Sequence, residues 1–329
     1  MVSKYEQSAP GARPEHAPAD TLDAAAGPVP ATCVPVADAA GAAPQVAEAR
    51  AAYGQGAPAA MAGPASGAAL DPALESALRG AAEPGAAAPA KYCEINLARL
   101  QQLGMVTHDG GRTSVAEDFR IIKRPLLRNV RGGGSVGPIK HGNLIVVTSA
   151  LPGEGKTYCA VNLAMSIAME MDITVLLVDA DVARPSVLKV LGLGAQPGLM
   201  DLLLSDKLEL SDVIMKTNVA TLSILPAGRS NKHATELLAS RTMSALLADI
   251  ASRYADRIVI FDSPPLLITS EANVLAAQMG QVVLVVEAET TTQHAVKEAL
   301  RQIEGCAHVN LIYNKTRAFP GGDYYGYYD

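Results

Sequence analysis

The sequence predicts an α/β fold, a mainly parallel sheet covered by helices on both faces. Three observations predict it. From about residue 144 to 313, apolar strand-like runs alternate with helix-like segments, the order that builds a parallel sheet through crossover helices. The runs at 144–147, 173–178, 258–261, 282–286 and 309–313 are close to continuous in apolar residues, broken only at Thr174 and Asn310, rather than alternating, as strands buried on both faces are. The first run leads through Thr148, Ser149 and Ala150 into a glycine-bearing turn, Gly153-Glu154-Gly155-Lys156-Thr157, that opens onto an amphipathic helical stretch.

Strand, glycine turn, Lys-Thr and helix is the context a phosphate-binding loop requires, which narrows the class to the P-loop NTPase fold. Gly153 and Gly155 let backbone N–H groups close around phosphate oxygens. The helix that follows offers its unpaired N-terminal amides to the same charge. Lys156 reaches toward the β- and γ-phosphates, and the Thr157 hydroxyl is offered to Mg²⁺. The nucleotide is therefore assigned to Gly153, Glu154, Gly155, Lys156, Thr157 and Tyr158, with ATP and Mg²⁺ as the expected cofactors. One departure is visible: Ala150 stands where the motif has its first glycine. The plain alternative is a glycine turn followed by a chance Lys-Thr.

Taken in order, residues 1–90 are rich in Ala, Pro and Gly, with bulky apolar residues too sparse to offset ordering entropy, and are expected to be a disordered tail. A helical segment with a linker is expected over 91–140. Ile95, Leu97, Leu100 and Leu103 have helical spacing, with Gly104 closing the helix. Ser114 is the expected cap of a helix to about 123, and Pro125 opens a second short segment over 126–130. The core is expected over 141–316, with helices at 158–170, 186–191, 199–204, 208–215, 234–254, 272–279 and 292–302, and a further strand at 222–225. The last segment, 317–329, is expected to be a flexible tyrosine-rich tail.

Composition excludes several classes. Lys+Arg 27 against Asp+Glu 33 gives a net charge of −6, so no basic excess argues for nucleic acid. No apolar run is long enough to cross a bilayer, and the first residues lack a signal-peptide core; a cytoplasmic location is expected. Cys33, Cys93, Cys159 and Cys306 are scattered, which argues against a metal or disulfide framework.

Two acidic stretches follow the loop. The run at 173–178 delivers Asp179 and Asp181, then Arg184; the run at 258–261 delivers Asp262. Sites in such sheets form at the C-terminal strand ends, where these acids lie. Four apolar residues and a terminal Asp is the Walker B pattern, and Mg²⁺ takes oxygen ligands while retaining water. Thr157, Asp179 and Asp262 are the expected metal-side residues; Lys156, Asp179, Asp181 and Asp262 are the expected catalytic set. A capping pair at a strand end is the alternative for Asp179 and Asp181. Arg184 adds charge nearby or pairs with Asp181, and Glu271 is read as a helix cap. The tail holds Tyr324, Tyr325, Tyr327 and Tyr328 among Gly and Asp. A phenol-bearing flexible tail beside a nucleotide site points to phosphorylation, each event adding roughly −1.5 to −2 charges.

This combination resembles the bacterial tyrosine autokinases of capsule and exopolysaccharide export, most closely the subgroup that travels with the exosortase/PEP-CTERM system. The resemblance covers residues 92–329. It rests on SALPGEGKT (149–157), LLVDADVARP (176–185), IVIFDSPPLL (258–267), ATELLAS (234–240), LIYNK (311–315) and the tyrosine cluster. It implies an ATP-dependent protein-tyrosine autokinase in which Asp179 and Asp181 are the Walker A′ acids and Asp262 the Walker B acid. It further implies that Tyr324, Tyr325, Tyr327 and Tyr328 are phosphorylated between subunits of a ring. A Glu-x-x-Arg-x-x-Arg helix belongs to ring packing in the family; the matching positions are Glu117, Arg120 and Lys123, with Arg124 adjacent, and the third lacks the guanidinium fork. Implied partners are a separate membrane-anchored export or chain-length protein that activates the kinase at the inner face of the plasma membrane, and a tyrosine phosphatase. Two rivals share the loop: a ParA/MinD-like ATPase, which carries a lysine early in the loop that 150–152 lacks, and a non-catalytic nucleotide-dependent assembly module.

Overall fold

The computed structural model describes residues 32–35, 91–132, 137–205, 207–253 and 256–316. The four tail tyrosines and most of 1–90 lie outside the described residues. The strands are β1 (Thr32–Pro35), β2 (Lys91–Cys93), β3 (Leu144–Ser149), β4 (Thr174–Asp179), β5 (Met215–Thr217), β6 (Leu222–Leu225), β7 (Arg257–Asp262), β8 (Gln281–Glu287) and β9 (Val309–Asn314). The helices are α1 (Leu97–Gln102), α2 (Ser114–Arg131), α3 (Lys156–Ala168), α4 (Val187–Leu191), α5 (Leu199–Leu204), α6 (Leu210–Val213), α7 (Ala234–Leu238), α8 (Arg241–Arg253), α9 (Ser270–Ala276) and α10 (Gln293–Gln302).

Among the described residues the strands form one sheet in the order β1-β9-β8-β3-β7-β4-β6-β5-β2. β9, β8, β3, β7, β4 and β6 run parallel. β1 pairs antiparallel with β9 at one flank; at the other, β5 is antiparallel to β6 and the edge strand β2 is parallel to β5. The mainly parallel sheet is thus as expected from the strand composition. Successive side chains on β3 and β7 go to opposite faces. Ile145, Val147, Ile258 and Ile260 join one core with α2, α3 and α4, through Phe119, Ile122, Leu126, Leu163 and Val187. Leu144, Val146, Val259 and Phe261 join the other with α5, α7, α8, α9 and α10, through Leu199, Leu238, Met243, Leu275 and Ala299.

Four expectations are corrected. Helix α2 is continuous through Pro125 rather than divided there. The proline removes one N–H from the ladder, yet Phe119, Ile122, Leu126 and Leu127 are all buried on one side, and that packing holds the helix together across it. The cap of α2 is Thr113, whose hydroxyl accepts from Ala116 N at 3.1 Å, rather than Ser114. The segment read as one helix over 208–215 is the single turn α6 followed by the short strand β5, because Met215 and Thr217 point inward while Lys216 points out. Within the Ala/Pro-rich region, 32–35 is strand β1.

Lys123 is the one basic residue of α2 in the interior, 3% exposed. Its Nζ donates to Ser166 O at 2.5 Å and pairs with Glu170 Oε1 at 2.8 Å. Gln281 opens β8 buried, its amide donating to Leu126 O (3.1 Å) and Gly142 O (2.7 Å) while accepting from Asn129 Nδ2 (2.8 Å). These bonds tie α2 to the P-loop helix and to the sheet. No described helix is long and apolar enough to cross a membrane.

Candidate active site

The site sits where β3, β4 and β7 end. β4 and β7 are parallel neighbours in a register that pairs Asp179 with Asp262. β3 lies on the other side of β7, and its chain runs through the loop 150–155 into α3. Gly153 and Gly155 have φ of 89° and 91°, the left-handed region that glycine enters without a Cβ penalty. At Gly155 a Cβ would stand 2.1 Å from Asn314 Nδ2. Only glycine lets the loop turn here and lie against β9.

Four of the expected residues meet directly. Lys156 Nζ reaches Asp181 Oδ2 at 2.9 Å, and Thr157 Oγ1 donates to Asp262 Oδ2 at 2.6 Å. The Thr157 hydroxyl also lies 2.8 Å from Ser186 Oγ. Asp179 completes the group: its Oδ2 accepts from Ser186 N and Val187 N, both at 3.0 Å, so it caps α4 as well. Asp181 Oδ1 accepts from Arg184 N at 3.0 Å. The Arg184 side chain is exposed, so its link to Asp181 is through backbone.

Electrostatics set the acids apart. Burial pushes Asp179 up to about 6, against the two backbone N–H groups that favour its charged form. Burial pushes Asp262 up to about 7, against the Lys156 charge and the Thr157 hydrogen bond. Asp179 Oδ1 and Asp262 Oδ1 are buried with no hydrogen-bond partner among the described residues. Two buried carboxylate oxygens at adjacent strand ends, with the Thr157 hydroxyl bonded to Asp262, are the hard oxygen donors a Mg²⁺ that keeps several waters requires. The residues present therefore fit Mg²⁺. They also fit a triphosphate, since Lys156 and the first turn of α3 face the same strand ends.

A stability trend follows. Both carboxyls have folded values above the ordinary 3.8. Their contribution to stability is then complete below about 4 and lost as pH rises through about 6 and 7, each unit of displacement counting about 1.4 kcal/mol. The nucleotide-free chain is expected to melt several degrees lower at pH 8 than at pH 5.5, read by circular dichroism. A melting temperature that rises over that interval would remove the strained carboxylates from the account.

Other expected residues are placed differently. Glu154 is 2% exposed, and its side chain turns into the protein. Its Oε2 accepts from Leu151 N at 2.7 Å and its Oε1 from the Thr291 hydroxyl. Its carbonyl accepts from Asn314 Nδ2 at 2.9 Å. Tyr158 packs over the loop after α1, donating to Gly104 O at 3.2 Å, and burial pushes its hydroxyl up to about 12. Glu117 and Arg120 pair on the outer face of α2 at 2.7 Å. Lys123 is turned inward, so beside them the exposed cation is Arg124. Ser186, Thr291 and Asn314 were not singled out from the sequence. Asn314 lies within the LIYNK segment, and its position at a parallel strand end was the available signal.

A family model described as an AAA domain matches residues 142–314. The tyrosine-protein kinase YwqD of Bacillus subtilis is 32% identical over 186 residues, covering 56% of this chain and 76% of that protein. The putative tyrosine-protein kinase EpsB of Ralstonia nicotianae is 31% identical over 195 residues. Against EpsB the match spans 56% of this chain and only 25% of that protein. The crystallised kinase domain of the Escherichia coli tyrosine kinase ETK superposes with a TM-score of 0.54 at 27% identity, covering 67% of this chain and 83% of that one. With the loop, both acidic strand ends and the surrounding sheet falling inside the matched span, the chain belongs to the bacterial tyrosine-protein kinase family.

Proposed function

We propose that this chain is an ATP-dependent protein-tyrosine autokinase that transfers the γ-phosphoryl group to Tyr324, Tyr325, Tyr327 and Tyr328 of another copy. One observation carries the reading: Lys156 and Thr157, at the start of α3, meet Asp181 and Asp262 from two other strand ends at 2.9 and 2.6 Å. Phosphoryl transfer asks for positioning and charge neutralisation more than covalent chemistry. Mg²⁺, when bound, would supply charge neutralisation at the phosphates, and Thr157, Asp179 and Asp262 would hold it. Lys156 exchanges its partner Asp181 for phosphate oxygens, which leaves Asp181 Oδ2 free to accept the hydrogen bond of an incoming tyrosine hydroxyl. The phenol proton passes to that carboxylate as the O–P bond forms and ADP leaves.

The setting is proposed on the same footing. Copies associate as a ring through the outer face of α2, with Glu117, Arg120 and the neighbouring Arg124. A membrane-anchored export or chain-length protein recruits the chain to the inner face of the plasma membrane and activates it, a phosphatase resets the tail, and the output is control of exopolysaccharide export. Incubation with labelled ATP and Mg²⁺, followed by mapping of modified residues, tests the reading. Label is expected on 324–328 and is expected to rise when the partner's cytoplasmic segment is added. ATP turnover with an unlabelled tail would instead favour a nucleotide switch or a hydrolase working as ParA/MinD-like ATPases do, and no turnover with a verified partner would leave an assembly module.

A further inference from the structure

The phosphate loop is held from behind by three residues that belong to three different parts of the chain. Glu154 sits at its centre, between the two left-handed glycines. An acidic side chain in the middle of an anion cradle opposes the charge the cradle is built for. Glu154 resolves this by turning inward, where both carboxylate oxygens are engaged. Oε2 closes back on Leu151 N at 2.7 Å, stapling 151–154 into a tight arc. Oε1 takes the hydroxyl of Thr291, from the segment between β8 and α10. The Glu154 carbonyl takes Asn314 Nδ2 at 2.9 Å, from the last residue of β9. Asn314 is itself 4% exposed.

The consequence lies in the planar trans peptide between Glu154 and Gly155. The carbonyl of residue 154 and the N–H of residue 155 point in opposite directions across one rigid plane. With the carbonyl pinned by Asn314, the Gly155 N–H is aimed at the other side. Asn314 also occupies the space over Gly155 in which a Cβ would stand. The Leu151 N–H is already taken by the carboxylate and is withdrawn from the set of phosphate donors. We infer that Glu154, Thr291 and Asn314 form a latch that fixes the curvature of the phosphate loop. They act as positioning residues that set nucleotide affinity without touching the nucleotide. This rests on the nucleotide site proposed above.

Titration of the full chain with MgATP by calorimetry, together with steady-state kinetics, tests it. Thr291→Val removes one donor at nearly constant shape and is expected to weaken MgATP binding roughly ten-fold, on the scale of a lost hydrogen bond to a charged group. Glu154→Ala, which removes both side-chain bonds, is expected to lose more. Glu154→Gln keeps an acceptor for Leu151 N and an amide that the Thr291 hydroxyl accepts, and is expected to recover most of the affinity. In all three, KM for ATP rises, and in Thr291→Val, which lies outside the loop, kcat at saturating ATP changes by less than about three-fold, because a closed loop is restored once nucleotide is bound. Unchanged affinity in Thr291→Val and Glu154→Ala overturns the latch. So do equal losses in Glu154→Gln and Glu154→Ala, which would assign the effect to charge, and so does a fall in kcat at unchanged affinity, which would place these residues at the chemistry. Failure of the unmodified chain to bind MgATP sinks the nucleotide site itself, and is seen before any variant is compared.

Discussion

Lys156→Met is expected to leave a folded chain that no longer labels its tail, with phosphotyrosine falling by about 10³ or more. The substitution keeps an unbranched side chain of similar length and deletes only the charge. That charge is a positive group at the site where negative charge develops, and such groups count for about 10² to 10³ in rate even singly. There is a second cost. Lys156 and Asp181 form a pair whose side chains are 15% and 5% exposed. Removing one partner leaves the other buried, so a destabilisation on the order of 1–3 kcal/mol is expected, moderated because Asp181 keeps its bond from Arg184 N. The Lys156 charge also holds Asp262 down, so its loss drives that carboxyl further up. Quantitative mass spectrometry of the tail, on protein whose melting is still cooperative, measures the effect. Labelling at more than a tenth of the parent level would take Lys156 out of the chemistry.

Asp262→Asn is expected to move stability and activity in opposite directions. Asp262 is wholly buried, its Oδ1 has no partner among the described residues, and burial lifts it to about 7. At pH 8 the nucleotide-free fold therefore carries a desolvated charge. The asparagine removes that charge, and its side-chain carbonyl still accepts the bond from Thr157. A gain of a few kcal/mol at pH 8 is expected, vanishing below about pH 4, where the aspartate is neutral anyway. The pH dependence of melting should flatten accordingly. Tail phosphorylation should fall at least ~10²-fold, because the amide cannot supply the negative charge a hard divalent ion requires. A variant that melts no higher than the parent at pH 8 would show that the native carboxylate is not under strain.

The parts of the fold legible in the sequence were those written locally. β3, β4, β7, β8 and β9 are short, mostly apolar runs, and each was found within a residue or two of its expected bounds. Asp179 and Asp262 end such runs, Asp181 lies two residues beyond, and Lys156 and Thr157 follow β3 across the glycine loop. Once the strands are parallel, they have to converge at one edge. What could not be read depends on which distant segments touch. Nothing near Thr291 marks it as a partner for Glu154, 137 residues earlier, and Asn314 looks like any polar residue ending a strand. Lys123 sits in a helix with several basic residues. Only the packing of α2 on α3 decides that this one faces inward. Pro125 misled for the complementary reason, since its local preference was outweighed by four buried neighbours on the same helix.

The inward Lys123 has a spatial consequence. Its ammonium grips the last turn of α3, at the Ser166 carbonyl and at Glu170 just beyond, where a cation also complements the helix dipole. The opposite end of the same rod begins at Lys156 and Thr157. A helix of 13 residues is about 20 Å long. The face of α2 that carries Glu117, Arg120 and Arg124 thus stands one buried ion pair and one helix length from the loop that presents Lys156 and Thr157.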